Sequence, residues 1–209
     1  MKEPGDRRHL MLVALGYLSG LLMLSQSRGW LVPLVPWGAL GGVMMALLLP
    51  TAAAVNYQVF RRVGRTPDQS SAGAIREIGY RITLFEIVLH ILILAGLTGL
   101  LGGNSMLPAR LVVVCFGVLL IGIGDQLPRT RPNLAVGIRT PRMLSDRHVW
   151  IGVHRTAGYA AVGLGAVVVF AGTFLGHPQI AQAINAALLV ALSVTAWSYR
   201  RFTRPRVAP

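Results

Sequence analysis

Residues 107–124 read LPARLVVVCFGVLLIGIG, eighteen positions with a single charge, Arg110. A hydrocarbon core about 30 Å thick takes roughly 20 helical residues to cross, so this run spans most of a bilayer. In lipid a helix satisfies all of its own backbone hydrogen bonds, and the run is predicted to be a transmembrane helix. Cys115, the one cysteine, sits inside it as a small hydrophobe. A lone cysteine excludes an intrachain disulfide and any cysteine metal cluster.

Working outward, apolar blocks of similar length lie at about 10–26, 30–56, 82–102, 153–176 and 180–199. The bulk numbers agree with them: of 209 residues 54% are hydrophobic, and mean hydropathy is +0.59. A soluble domain needs polar helix faces and sits lower. The expected fold is an all-α integral membrane protein, a six-transmembrane-helix bundle forming one transmembrane domain over residues 1–209. A structured cytoplasmic loop is expected at 125–152.

The net charge of +13 would suggest nucleic acid in a soluble protein. Here the basic residues fall between apolar blocks, so they are read as orienting the chain and facing anionic headgroups. Lys2, Arg7 and Arg8 precede the first block, and Arg61, Arg62, Arg65, Arg76 and Arg81 lie between the second and third. Arg129, Arg131, Arg139, Arg142, Arg147 and Arg155 follow the fourth, and Arg200, Arg201, Arg204 and Arg206 close the chain. Eighteen positive residues thus fall on one side, against Arg28 and Arg110 on the other. The positive-inside rule puts both ends in the cytoplasm of a bacterial inner-membrane protein and leaves the outer connections, near 27–29, 103–109 and 177–179, short. Residues 1–24 also resemble a signal peptide, but Ser25-Gln26-Ser27 is a poor cleavage site, so retention of the first span is expected.

Gly16 and Gly20 are four apart, as are Gly38 and Gly42, a spacing that lets helix backbones approach. A faint echo links Gly64-Arg65-Thr66-Pro67 with Gly137-Ile138-Arg139-Thr140-Pro141.

The segment after the first run, residues 124–159, reads GDQLPRTRPNLAVGIRTPRMLSDRHVWIGVHRTAGY. Pro128, Pro132 and Pro141 fix φ and remove donors. Gly137 is free to take positive φ, and Asn133 tolerates it. Ser145 or Asp146 is placed to cap a helix starting near Arg147 and running into the fifth span. On that helix Trp150 and His154 share a face, and Trp150 is expected at headgroup level. The reading is a compact, stiff loop that gathers arginines.

This segment resembles the signature of the SdpI family of bacterial membrane proteins. The matching residues are Gly124, Leu127, Pro128, Pro132, Asn133, Gly137, Ile138, Arg139, Thr140, Pro141, Leu144, Val149, Trp150, His154, Arg155 and Gly158. Asp125, Arg142 and Val153 depart from it, standing where the family usually has asparagine, tryptophan and threonine. The resemblance implies a multi-spanning membrane protein; the family's best-known member confers toxin immunity and captures a transcriptional repressor at the membrane. It makes Asn133, Arg139, Thr140, Pro141, Trp150, His154 and Arg155 candidate partner-binding residues.

Inside the third span, Glu86 and His90 lie four apart on one face, an intramembrane polar pair read as a proton- or ligand-handling site or as a helix-to-helix contact. Arg81, five residues before Glu86, points to a shallow site near the cytoplasmic face. Asn56 and Asp125, at the ends of the second and fourth spans, are candidates to converge with Glu86, His154 and Arg155 on one pocket. Arg139 is expected to bind an anion or to fork onto Asp125 or Glu86.

No H-E-x-x-H, G-x-S-x-G or phosphate-cradling glycine loop occurs, and His148 and His154, six apart, are poorly spaced to share a metal. His9 is read as interfacial, and His177 as lying alone in an outer turn. No catalytic residue, metal, cofactor or nucleic-acid partner is expected. The expected partners are anionic lipid and either a peptide toxin or a cytoplasmic regulator. The expected function is an SdpI-like immunity or signalling factor acting through the arginine-rich loop. The alternative is a small transporter or lipid-modifying enzyme working around Glu86 and His90.

Overall fold

The computed structural model of the chain describes residues 4–26, 38–63, 71–101 and 106–204. The described residues contain no strand. Their helices are α1 (Pro4–Gln26), α2 (Gly38–Val63), α3 (Ala72–Leu97), α4 (Met106–Gln126), α5 (Pro141–Ser145), α6 (Arg147–Phe174) and α7 (His177–Thr203). A single 3-10 turn, Leu127–Arg129, follows α4. All but the short α5 are long and apolar enough to cross a membrane, six helices in all. The chain is an all-α, multi-spanning membrane protein. The turns expected at 27–29 and 103–105, the 64–67 half of the echo, residues 30–37 of the second block, and Lys2, Arg28, Arg65 and Arg206 lie outside the described residues.

The helices outrun the apolar blocks that announced them. Helix α2 continues past residue 56 to Val63, α3 starts at Ala72 rather than 82, and α6 starts at Arg147 rather than 153. Hydropathy marks the lipid-buried part of a helix, whereas arginines at its ends keep the helix going while their stems lie along it. The extension of α3 is amphipathic: Ala72, Ala74, Ile75 and Ile78 are buried, and Gly73, Arg76 and Glu77 are exposed. Arg76 and Arg81 therefore ride on a helix and not in a loop.

Two compact units make up the chain, Met1–Val59 with Gly79–Cys115 and Phe60–Ile78 with Phe116–Pro209. In the first, α1 packs on α2 through Gly16 and Gly20, one of the two glycine pairs singled out in the sequence, whereas a Cβ on Gly42 would meet only Leu24 Cδ2, at 4.0 Å. A Cβ on Gly16 would meet the Pro50 ring at 3.3 Å and Ile87 Cδ1 at 2.5 Å, and one on Gly20 would collide with the Ala46 carbonyl. Pro50 has no N–H, so the Ala46 carbonyl four residues earlier loses its helical donor. Gly20 lies against that carbonyl. Val13, Ala53 and Ile87 form the apolar centre, with Met23 and Leu94 packed further along.

The second unit repeats the device between α4 and α6. A Cβ on Gly117 would meet the Gly165 carbonyl at 2.8 Å, and one on Gly124 the Gly158 carbonyl at 2.7 Å. The reciprocal contacts are as tight. The glycines are seven apart on each helix and pair in opposite order, which is the register of two antiparallel helices over two turns. Helices α6 and α7 form a hairpin through Leu175 and Gly176, so Tyr199 and Phe202 near the end of α7 return to the cluster of Met143, Val149, Trp150 and Val153.

Candidate functional site

The loop of the second unit is built around Trp150. Expected at headgroup level as an amphipathic ring, its side chain is completely buried within the protein. The indole N–H is satisfied internally, donating to both the carbonyl and the hydroxyl oxygen of Thr130 at 3.2 Å. With its polar handle paired inside, the ring gains nothing from the interface. Thr130 is itself buried and anchors the 3-10 turn, its hydroxyl donating to the Leu127 carbonyl at 2.7 Å.

One turn along α6, the His154 ring stacks on Trp150 with centroids 3.9 Å apart and planes 13° from parallel. The Ile138 backbone N–H donates to Nε2 at 3.0 Å, and Nδ1 lies 3.0 Å from the Trp150 carbonyl. A backbone N–H can only donate, so Nε2 accepts and the ring proton sits on Nδ1, facing the Trp150 oxygen. Both nitrogens are used. Gly137, at φ +104°, lies against this ring, and a Cβ there would come within 2.7 Å of His154 Cδ2. Two independent reasons therefore demand glycine.

The remaining loop candidates divide between scaffold and surface. The Asn133 side-chain oxygen accepts from the Ala135 and Val136 amides at 2.9 and 2.8 Å, and its Nδ2 donates to the Arg131 carbonyl at 2.7 Å. Thr140 caps α5, accepting from the Met143 amide, and Pro141 occupies the first turn. Asp146, one of the two residues expected to cap α6, does so, accepting from the His148 and Val149 amides at 2.8 and 3.2 Å. The Arg131 amide donates to Ser71 Oγ at 2.7 Å, tying the loop to the start of α3.

Arg139 and Arg155 are exposed. The Arg139 guanidinium donates to the Leu134 carbonyl and pairs with no carboxylate among the described residues of its own unit, so the expected fork onto Asp125 is not made; Glu86 belongs to the other unit. Asp125 instead accepts from Gln126 Nε2 at 2.6 Å and from Arg129 at 3.4 Å. Arg155 lies over the Tyr159 ring, 5.9 Å from its centroid. Beside Arg139, Leu134 is 76% exposed and Ile138 39%. A leucine so exposed on a folded loop is a surface feature that the sequence reading passed over.

The first unit holds the other candidates. Asn56 Nδ2 donates to Glu86 Oε1 at 2.5 Å, so these two are brought together. Glu86 Oε2 is buried without a hydrogen bond, as are Thr83 Oγ1 and both ring nitrogens of His90. His90 and Thr83 are completely buried. The Gly16 carbonyl lies beside the His90 ring at a geometry short of a hydrogen bond. At 1.5 Å per residue along α3, Glu86 lies about 6 Å and His90 about 12 Å beyond Ile82, where the apolar stretch begins. His9, read as interfacial, is instead buried between the rings of Tyr57 and Tyr80, each centroid 5.2 Å away. Asp125, His154 and Arg155 belong to the other unit. No group of three His, Cys, Asp or Glu among the described residues is arranged to hold a metal ion.

Fold and site together define a multi-pass membrane protein in which an internally hydrogen-bonded, arginine-bearing loop leads into a helical hairpin. That element is the part with recognisable relatives. The SdpI/YfhL protein family matches residues 129–198, from the 3-10 turn through α5 and α6 into α7, about a third of the chain. The family read from the loop motif is thus shown over this segment, and the match extends beyond the motif into both helices of the hairpin. No curated protein and no solved structure matches the chain.

Proposed function

We propose that this chain is an SdpI-like immunity or signalling factor of the bacterial cytoplasmic membrane, with both ends inside. In this reading it protects against a membrane-active peptide toxin or recruits a cytoplasmic regulator through the exposed rim of its loop. The observation that carries the reading is the division of labour in that loop. Trp150, His154, Thr130 and Asn133 are consumed by internal bonds, while Arg139 faces solvent beside exposed Leu134 and Ile138. Ordering a loop costs about 1–2 kcal/mol per residue in backbone entropy. A loop ordered at that cost that presents a cation unpaired with any carboxylate among the described residues of its unit, flanked by apolar side chains, suits an acidic, partly apolar partner surface. Headgroup phosphates fit the same cation.

The test is survival of cells challenged with membrane-active peptides from competing bacteria, alongside membrane retention of the protein. Wild type is expected to protect, and Arg139→Ala to insert normally but to lose protection at least tenfold. Equal survival of expressing and empty cells across the peptides would remove the immunity reading. The alternative, a small transporter or lipid-modifying enzyme, draws support from the unbonded groups around Glu86 and His90.

A further inference from the structure

Thr83, Glu86 and His90 occupy one face of α3 at helical spacing, and each carries a buried polar atom that bonds to nothing described. Leaving such a group unpaired in an apolar medium costs several kcal/mol. Three such residues together would approach the whole stability of an ordinary domain, about 5–15 kcal/mol. Something other than these side chains must therefore satisfy them. One buried water makes two to four hydrogen bonds, and neighbouring positions on a helix face are close enough to share one.

Water alone leaves the carboxylate unexplained. Among the described residues, Glu86 takes its one hydrogen bond from Asn56, a neutral amide, at Oε1. Glu86 is half-buried, but its Oε2 is enclosed and unbonded, and a carboxylate oxygen enclosed away from any cation favours binding a proton. We propose that Glu86, with Asn56, Thr83 and His90, forms a hydrated site inside the first unit that takes up and releases one proton. On uptake a proton from water bonds to Oε2, which turns from acceptor into donor, while Asn56 goes on donating to Oε1. On release the O–H bond breaks, its electron pair stays on Oε2, and the proton leaves through bound water for solvent or for an open His90 nitrogen. The other titratable groups on the helices of this unit are Asp6, Arg7, Arg8, His9 and Tyr17 on α1, Tyr57 on α2, Tyr80 and Arg81 on α3, and Arg110 and Cys115 on α4. The site does not depend on the loop reading, and either can fail alone.

The experiment uses the full chain in lipid nanodiscs and records infrared difference spectra as pH is stepped from about 4 to 9, the range spanning ordinary carboxyl and imidazole titration. Wild type is expected to gain a buried-carboxyl C=O band as pH falls, sensitive to D2O. Glu86→Gln is expected to lack it, Glu86→Asp to show it displaced, and His90→Asn to move its midpoint by about one pH unit or more. Far-UV circular dichroism checks that each variant keeps wild-type helicity. An unchanged band in Glu86→Gln overturns the proposal, as does the absence of any such band from correctly folded wild type. If Glu86→Gln does not insert, Glu86→Asp decides: a displaced band supports the site and an unmoved one sinks it. Repeating the titration in choline chloride in place of sodium chloride should leave the midpoint where it was; a midpoint that follows sodium would make this a metal-cation site and overturn the proton assignment.

Discussion

Two histidines are completely buried in this molecule, one in each unit, and they are treated in opposite ways. His154 stacks on Trp150, accepts from Ile138, faces the Trp150 carbonyl and has Gly137 beneath it to make room. His90 is equally buried yet neither of its nitrogens is bonded, and its neighbours Thr83 and Glu86 carry unbonded atoms as well. The comparison teaches how to separate architecture from a working site. A buried polar group whose bonds are all made fixes a shape, whereas one whose bonds are open is available to a proton, a water or a ligand.

The comparison breaks most readily at His154. His154→Leu strands the Ile138 N–H and abolishes the stack, so a loss of about 3 kcal/mol in unfolding free energy is expected, from a lost bond plus disturbed packing. Denaturation in mixed micelles measures it, and a loss below about 1 kcal/mol would mean that the loop does not rest on this ring. Trp150→Phe keeps the stack but frees the Thr130 oxygens, and is expected to cost about 1.5 kcal/mol in the same assay. A cost near zero would show that the bifurcated bond contributes little beyond ring burial. His90→Leu should have the smallest effect, within about 1 kcal/mol of wild type, because no protein hydrogen bond is broken. A loss as large as that of His154→Leu would erase the distinction between the two histidines.

Much of this architecture was legible in the sequence. Six apolar blocks gave six helices, since hydrocarbon admits no other local solution for a chain segment of that length. The Asp146 cap, the glycine at 137, the pairing of Gly16 and Gly20 with a neighbouring helix and the family signature were readable from residue type and spacing. The helix ends were not, because hydropathy falls away where arginines begin while backbone hydrogen bonding continues. The glycines at 117, 124, 158 and 165 carried a signal in their sevenfold spacing that becomes legible once both helices are aligned.

The chain alone determined that it is a multi-spanning membrane protein with a structured, arginine-rich loop after its fourth span, because those properties follow from length, apolarity and local conformational preference. Tertiary structure decided what each polar side chain does. Trp150 was drawn inward by a partner twenty residues away, Arg139 turned to the Leu134 carbonyl rather than to an acid, and His90 was enclosed without a partner. A side chain's role depends on which groups folding brings within about 3 Å of it, the reach of a hydrogen bond. That proximity is a property of packing between elements distant in sequence.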